Sequence, residues 1–308
     1  MKFLTRTAPE ALRLRLHIGA HRTATTSFQS AMCQADDVLS EAGIRFLTRW
    51  RPGSRENEGM RVVSRLISKA VQRGGLSYLW NIKAAQREFI SLVSQSPTRI
   101  VIVSDENLLG DPFAFSTGSS IYPDSTRYLA ATARMLPVRP ERVHITIRDY
   151  ATFLVSVYAM QALYRSEVPL FGTIKDALMK VDHSWLTVMR SAKASFPSAQ
   201  ITFSRFEDDP IQTAMAAVLL PDVSTSQFSP VRPVTNRAPS AEAIEAALKS
   251  KQRSIADADK LVRQFADGKP FDPLDVEERL RLSASYQDHV SQLRAEFREV
   301  GGQTVPQI

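Results

Sequence analysis

Leu12-Arg-Leu-Arg-Leu-His-Ile-Gly-Ala-His-Arg-Thr-Ala-Thr-Thr-Ser-Phe-Gln29 decides how the rest of the chain is organised. An alternating, strand-like run stops at Gly19. A short hydroxyl-rich loop follows, carrying His21, Arg22, Thr23, Thr25 and Thr26, and a helical pattern opens near Ser27. Strand, tight loop and helix N-terminus together favour phosphate-like anions, because the first helical turn presents unpaired N–H groups and a partial positive charge. Arg22 adds a fixed charge and the hydroxyls add neutral donors. The expected anion-binding segment is Gly19 and Ala20 with the run Arg22, Thr23, Ala24, Thr25, Thr26 and Ser27. It lies at the first β-loop-α unit, where α/β domains often bind ligands. The Walker pattern fails, since Ala24 and Thr25 stand where Gly and Lys would be, and Gly19 lacks the partner glycines of a dinucleotide fingerprint.

The remaining pattern alternates strands with helices. Helix is expected over Ser27–Ala42, stopped by Gly43, and strand over Ile44–Thr48. Apolar spacing predicts helices over Gly59–Arg73 and Trp80–Ser94, then a buried strand over Arg99–Val103. Ser104-Asp-Glu-Asn-Leu-Leu-Gly110 places Asp105 and Glu106 directly after that strand. Asp111–Asp124 suits a substrate-side loop, with Phe113, Phe115 and Tyr122 in it. Helix is expected over Ser125–Leu136, strand over Arg142–Ile147, and helices over Ala151–Tyr164, Ile174–Met179 and Trp185–Ala194. Ile201–Phe203 is read as the last strand. Pro221–Pro239 is a proline-rich crossing, and helices follow from Ser240, broken at Gly268–Pro273, with the final one over Val276–Val300. The expected fold class is α/β, a three-layer α/β/α sandwich around a central parallel sheet with a C-terminal helical extension. Residues 1–308 form one domain in this reading, 12–236 the α/β core and 237–308 the helices packed on it.

Two segments carry a resemblance. The loop resembles the phosphosulfate-binding loop of the PAPS-dependent sulfotransferases, commonly His-Ile-Gly-x-x-Lys-Thr-Gly-Thr-Thr-Ser-x-Gln. His17, Ile18, Gly19, Thr23, Thr25, Thr26, Ser27 and Gln29 match it, while Arg22 replaces the lysine and Ala24 the second glycine. Val143-His-Ile-Thr-Ile-Arg-Asp-Tyr-Ala-Thr-Phe-Leu-Val-Ser-Val-Tyr158 is similar to the family's second motif, a strand ending in Arg with Ser and then Tyr following. The resemblance implies that Arg148 and Ser156 hold the cofactor's 3′-phosphate, for which a guanidinium fork is suited. A further arginine is common in that motif where this chain has Phe153. Weaker likenesses are Ile102-Val-Ser-Asp-Glu-Asn-Leu-Leu-Gly110 to a strand-then-acidic segment, Phe203-Ser-Arg-Phe-Glu207 to a structural Arg-Tyr-Glu segment, and Val234-Thr-Asn-Arg-Ala-Pro-Ser240 to an Asn-Arg-Ser turn, which implies Arg237 at the cofactor. The likeness runs through about residues 12 to 290 and implies a P-loop-type fold.

Composition sets bounds on partners. The net charge is +7, with 39 Lys and Arg against 32 Asp and Glu over 308 residues, which favours anionic partners in general. No dense cationic run with interleaved aromatics points to nucleic acid. Cys33 is the single cysteine, so no disulfide framework exists within the chain, and a buried structural thiol is expected. No segment has transmembrane length, and Met-Lys-Phe-Leu-Thr-Arg-Thr-Ala-Pro-Glu10 has no signal-peptide core. A cytoplasmic protein is expected, with self-association as a homodimer left open. His17 and His144 lie inside strands and suit satisfied core histidines, while His183 and His289 are expected on solvent-facing helix positions. No His pairs with a carboxylate at metal-ligand spacing, so no metal is expected.

The resemblance implies transfer of a sulfuryl group from PAPS to a hydroxyl or amine of a small-molecule, glycan or glycolipid acceptor. By analogy with phosphoryl transfer, such a reaction needs positioning and charge stabilisation, for which Arg22, Thr25, Thr26 and the loop N–H groups are the candidates. The base is sought among Glu106, Asp105 and His21, in that order. Two alternatives remain open, a phosphotransferase with an atypical P-loop and a nucleotide-binding protein without catalysis. If the loop needs positive φ at Ala24, that residue costs about 1 kcal/mol.

Overall fold

The computed structural model describes residues 12–49, 55–94, 98–112, 120–165, 167–180, 182–208, 211–221, 223, 239–250 and 255–301. Strands β1 (Arg13–His17), β2 (Ile44–Thr48), β3 (Ile100–Ser104), β4 (Arg142–Ile147), β5 (Gln200–Arg205) and β6 (Arg298–Glu299) form one sheet in the order β2-β3-β1-β4-β5-β6. Every pairing is parallel. Alternation along each strand sorts side chains onto two faces. Leu14, Leu16, Val101, Val103, Val143 and Ile145 join the larger apolar core. The other face carries Ile44, Phe46, Ile100 and Ile102, packed with Phe28 and Met32 of the first helix in a second core. Helices thus cover both faces, compatible with three layers.

On that second face the strands share a polar row. Thr48, Ser104, His17, His144 and Thr202 are neighbours in register across five strands. His17 Nδ1 is 2.8 Å from Ser104 Oγ, and His144 contacts Thr202 Oγ1 and Ser204 Oγ at 2.9 Å each. Gln29 Nε2 donates to the Ser104 carbonyl and hydroxyl at 3.1 Å. Burial pushes the His144 imidazole down to about 3, and burial together with His144 lowers His17 well below its ordinary value, so both rings are neutral.

The helices are α1 (Thr25–Gln34), α2 (Asp36–Glu41), α3 (Arg55–Arg73), α4 (Gly75–Val93), α5 (Ser125–Met135), α6 (Tyr150–Tyr164), α7 (Phe171–Lys180), α8 (Trp185–Ser195), α9 (Ile211–Leu219), α10 (Ala241–Lys249), α11 (Ile255–Gln264) and α12 (Val276–Glu296). The helix expected over Ser27–Ala42 starts earlier and breaks at Ala35, whose φ of −91° and ψ of 16° leave the helical basin. The final helix stops at Glu296 rather than Val300, because Phe297 is extended and β6 then joins the sheet edge. Val300 N donates to Phe203 O at 2.8 Å, and Arg205 pairs with Glu299 at 2.9 Å, so β5 is not the last strand. Helix α9 carries no element in the sequence reading, yet Met215 and Leu219 fill the second core. Helices α10 and α12 pack on α6. Residues 113–119, with Phe113 and Phe115, most of 221–239, and Arg237 lie outside the described residues.

Candidate anion site at the sheet's carboxyl edge

The chain leaves β1 toward β2 on one side and leaves β4 toward β5 on the other. Adjacent strands with diverging exits open a crevice at their carboxyl ends, where ligands settle in open α/β sheets. Into that crevice come the loop after β1 and the residues after β4.

The loop is built tightly. A Cβ on Gly19 would sit 2.3 Å from Thr25 Oγ1 and 3.0 Å from the His17 ring, so only glycine fits. Beneath it, His17 Nε2 is buried with no hydrogen-bond partner. Thr23 is fully buried and its hydroxyl donates to the Ala20 carbonyl at 2.5 Å. Thr25 Oγ1 reaches the same carbonyl at 3.5 Å. These two hydroxyls brace the loop from inside. Arg22 and Ala24 take left-handed backbone, with φ of 65° and 58°. The strain expected at Ala24 is therefore present, and a second strained position at Arg22 adds to it. Ala24 caps α1 without any side-chain bond. The main-chain N–H groups of Arg22 through Ser27 take no acceptor among the described residues. They form a row of donors at a helix N-terminus.

Two guanidiniums meet there. Arg22 Nε donates to Ser156 Oγ at 2.9 Å. Arg148 Nη1 donates to the Arg22 carbonyl at 2.8 Å and Nε to Thr152 Oγ1 at 3.0 Å, with its guanidinium 4.4 Å over the Phe206 ring. The structure thus brings Arg22, Arg148 and Ser156 together from β1, β4 and α6. Among the described residues neither guanidinium forms an ion pair. Burial lowers the pKa of Arg22, and burial with the Arg22 charge lowers that of Arg148 to about 10, only partly offset by Glu207 and Asp149. Two desolvated, mutually repelling cations favour an anion between them. Phe153, at the position where a further arginine is common, is buried against Trp185 at 5.2 Å and supplies packing instead.

The three candidate bases stand in different environments. Asp105 is fully buried. It caps the short 3₁₀ turn Glu106–Leu109 by accepting from Asn107 N at 2.9 Å, accepts from Ser64 Oγ, and lies 3.7 Å from Arg49 Nη1. Burial raises its pKa, assisted by Glu106 and opposed by Arg49. His21 donates its main-chain N–H to Tyr122 Oη at 2.8 Å and meets the same hydroxyl at Nδ1, 2.9 Å away. With the Tyr122 hydroxyl donating to Nδ1, the neutral ring carries its proton on Nε2 and acts as a donor. Burial pushes His21 down to about 4. Glu106 is half-buried at the mouth, its Oε2 3.4 Å from Gln29 Nε2.

The chain matches no known protein-family profile. It matches no curated protein either.

Other expectations change. His183 is buried, with Nε2 3.1 Å from the Leu178 carbonyl, and His289 is half-buried with Nδ1 2.7 Å from Tyr150 Oη. Both pack against the Tyr150 ring of α6, and His183 lies between α7 and α8 rather than on a helix. Cys33 is half-buried beside the second core. Glu207 accepts from Asp149 N at 2.8 Å and from Tyr286 Oη at 3.0 Å, a structural use that ties β5 to α6 and α12. Gln29 matched the loop pattern without a role of its own, and its contacts with Ser104 and Glu106 give it one. No helix is long and apolar enough to cross a membrane among the described residues.

Proposed function

We propose that this chain is a PAPS-dependent sulfotransferase of P-loop-type fold, acting on a hydroxyl or amine of a small-molecule, glycan or glycolipid acceptor. One observation carries the proposal. Arg22 and Arg148 converge without a carboxylate partner beside the unpaired N–H groups of residues 22–27. Such a cradle suits a ligand with two separated anionic groups. The N–H row and Arg22 would hold the phosphosulfate, and Arg148 with Ser156 the 3′-phosphate.

The donor supplies a sulfuryl group on a good anionic leaving group. The chain's own part is binding and charge. Arg22 and the loop N–H groups stabilise negative charge that grows at the departing phosphate oxygen. Glu106 accepts the acceptor's proton, held in orientation by Gln29 Nε2. Asp105, enclosed by Ser64, Asn107 and Arg49, positions the turn that carries Glu106. His21 offers Nε2–H to an anionic oxygen.

Binding of adenosine 3′,5′-bisphosphate tests the proposal. A thermal upshift is expected with the bisphosphate and a smaller one with ATP-Mg²⁺, since a ligand of the native state raises stability. No shift at saturating bisphosphate rejects it. A second reading, nucleotide binding without transfer, is favoured by the engagement of Arg22 Nε with Ser156. Turnover of PAPS against an acceptor panel separates the two.

A further inference from the structure

Helices α3 and α4 form an antiparallel hairpin inserted between β2 and β3. Ser64 anchors it to Asp105, and Arg127 of α5 donates to the Val71 carbonyl. Its inner side is ordinary core, with Ile82, Ala85, Phe89 and Leu92 of α4 buried. Its outer side is not ordinary. Leu76 is 77 % exposed, Leu79 50 % and Trp80 71 %. At 100° per residue these three fall with Lys83 and Arg87 inside an arc of about 100°, opposite the buried stripe. Helix α4 is therefore apolar on two faces, and only one has a partner among the described residues.

The stretch of the hairpin that carries this face has charge of one sign. From Met60 to Arg87 there is no Asp or Glu, while Arg61, Arg65, Lys69, Arg73, Lys83 and Arg87 are all exposed. The α3 cations recur every fourth residue and form an exposed stripe along that helix. A large indole and two leucines flanked by lysine and arginine fit a surface that is anionic outside and apolar just beneath. A second copy of the chain fits poorly, because a two-fold contact through this hairpin would set like charges against each other.

We propose that the outer face of the α3–α4 hairpin docks on an anionic phospholipid surface. Trp80, Leu76 and Leu79 enter the headgroup region, and the flanking cations meet the lipid phosphates and carboxylates. The proposal is independent of what the anion site binds.

The test is flotation of the full chain with vesicles of equal parts phosphatidylserine and phosphatidylcholine, against phosphatidylcholine alone. Binding is expected only to the anionic vesicles, weakening as salt is raised. Tryptophan emission should shift to the blue on binding, and the shift should vanish in Trp80→Phe although Trp50 and Trp185 remain. Lys83→Gln with Arg87→Gln should weaken binding about fivefold per cation removed. Leu76→Ser with Trp80→Ser should abolish it. All four side chains are exposed, so thermal melts of the variants should match the parent. Equal binding to both vesicle types, no binding to either, or binding that survives Leu76→Ser with Trp80→Ser overturns the proposal. A solution dimer dispersed by Trp80→Ser, without vesicle binding, also overturns it and assigns the face to a second copy.

Discussion

Arg148 Nη1 donates to the main-chain carbonyl of Arg22 at 2.8 Å, so one guanidinium fixes the backbone from which the other projects. The bond holds Arg22 at a φ of 65°, a conformation that a side chain other than glycine resists. Strain in the loop and charge in the crevice are thus maintained by the same residue.

Arg148→Ala should therefore lose adenosine 3′,5′-bisphosphate binding far more than it loses stability. The lost hydrogen bonds to Arg22 and Thr152 are part-buried and cost about 1 kcal/mol each. Calorimetric titration alongside urea unfolding checks both quantities. Unchanged affinity would make Arg148 a brace for the loop and nothing more.

Glu106→Gln and Asp105→Asn should separate. The first should keep bisphosphate affinity and lose about 10²- to 10⁴-fold in transfer rate, as general-base removal does. The second should lower stability, since the amide places a donor among Ser64, Asn107 and Arg49. Rate measurements with an accepted acceptor, paired with melts, decide whether the proton goes to Glu106.

Ala24→Gly should stabilise the protein by about 1 kcal/mol, because glycine accepts the left-handed backbone that alanine resists there. Gly19→Ala should do the reverse, pressing Thr25 and the His17 ring apart at a cost of about 1–3 kcal/mol. Denaturation midpoints of the pair give the sign directly.

Stability should fall on acidification below pH 6.5. His17, His21 and His144 are held neutral in the fold, the latter two down to about 4 and 3. Their folded values are below the unfolded one, so the unfolded chain binds more protons between pH 6.5 and 3. The stability they contribute is present above 6.5 and drains away through that window, by up to about 1.4 kcal/mol per pH unit for each ring. Unfolding free energies measured from pH 7 to 4 should show a slope that His144→Gln reduces.

Much of the architecture was legible because apolar spacing reports burial. Strands β2 and β4 coincide with their expected spans, and α6 begins one residue early, at Tyr150. Elements fixed by tertiary contact were not legible. The two-residue β6 depends on Arg205 and Phe203 of a neighbouring strand, and nothing in Arg298–Glu299 itself distinguishes strand from helix. Arg148 and Ser156 were singled out by the resemblance, and the structure sets both against Arg22 of the loop. The role of Gln29 was hidden, since its partner Ser104 lies 75 positions away. So was the inward turn of the Thr23 hydroxyl, because a threonine in a loop looks the same whether it faces a ligand or the Ala20 carbonyl.

The polar row across the sheet also acts as a check on how the strands assemble. A β4 displaced by one residue would drive His144 and Thr146 into the aliphatic core and turn Val143 and Ile145 toward His17. Each stranded polar group would cost about 1–3 kcal/mol in place of the bonds it now makes to Thr202 and Ser204. An all-aliphatic sheet has no such penalty, and its parallel strands can slip while staying greasy on both sides. Here misregistered sheets are disfavoured from the outset, and the row that enforces alignment passes, at its middle member His17, beneath Gly19.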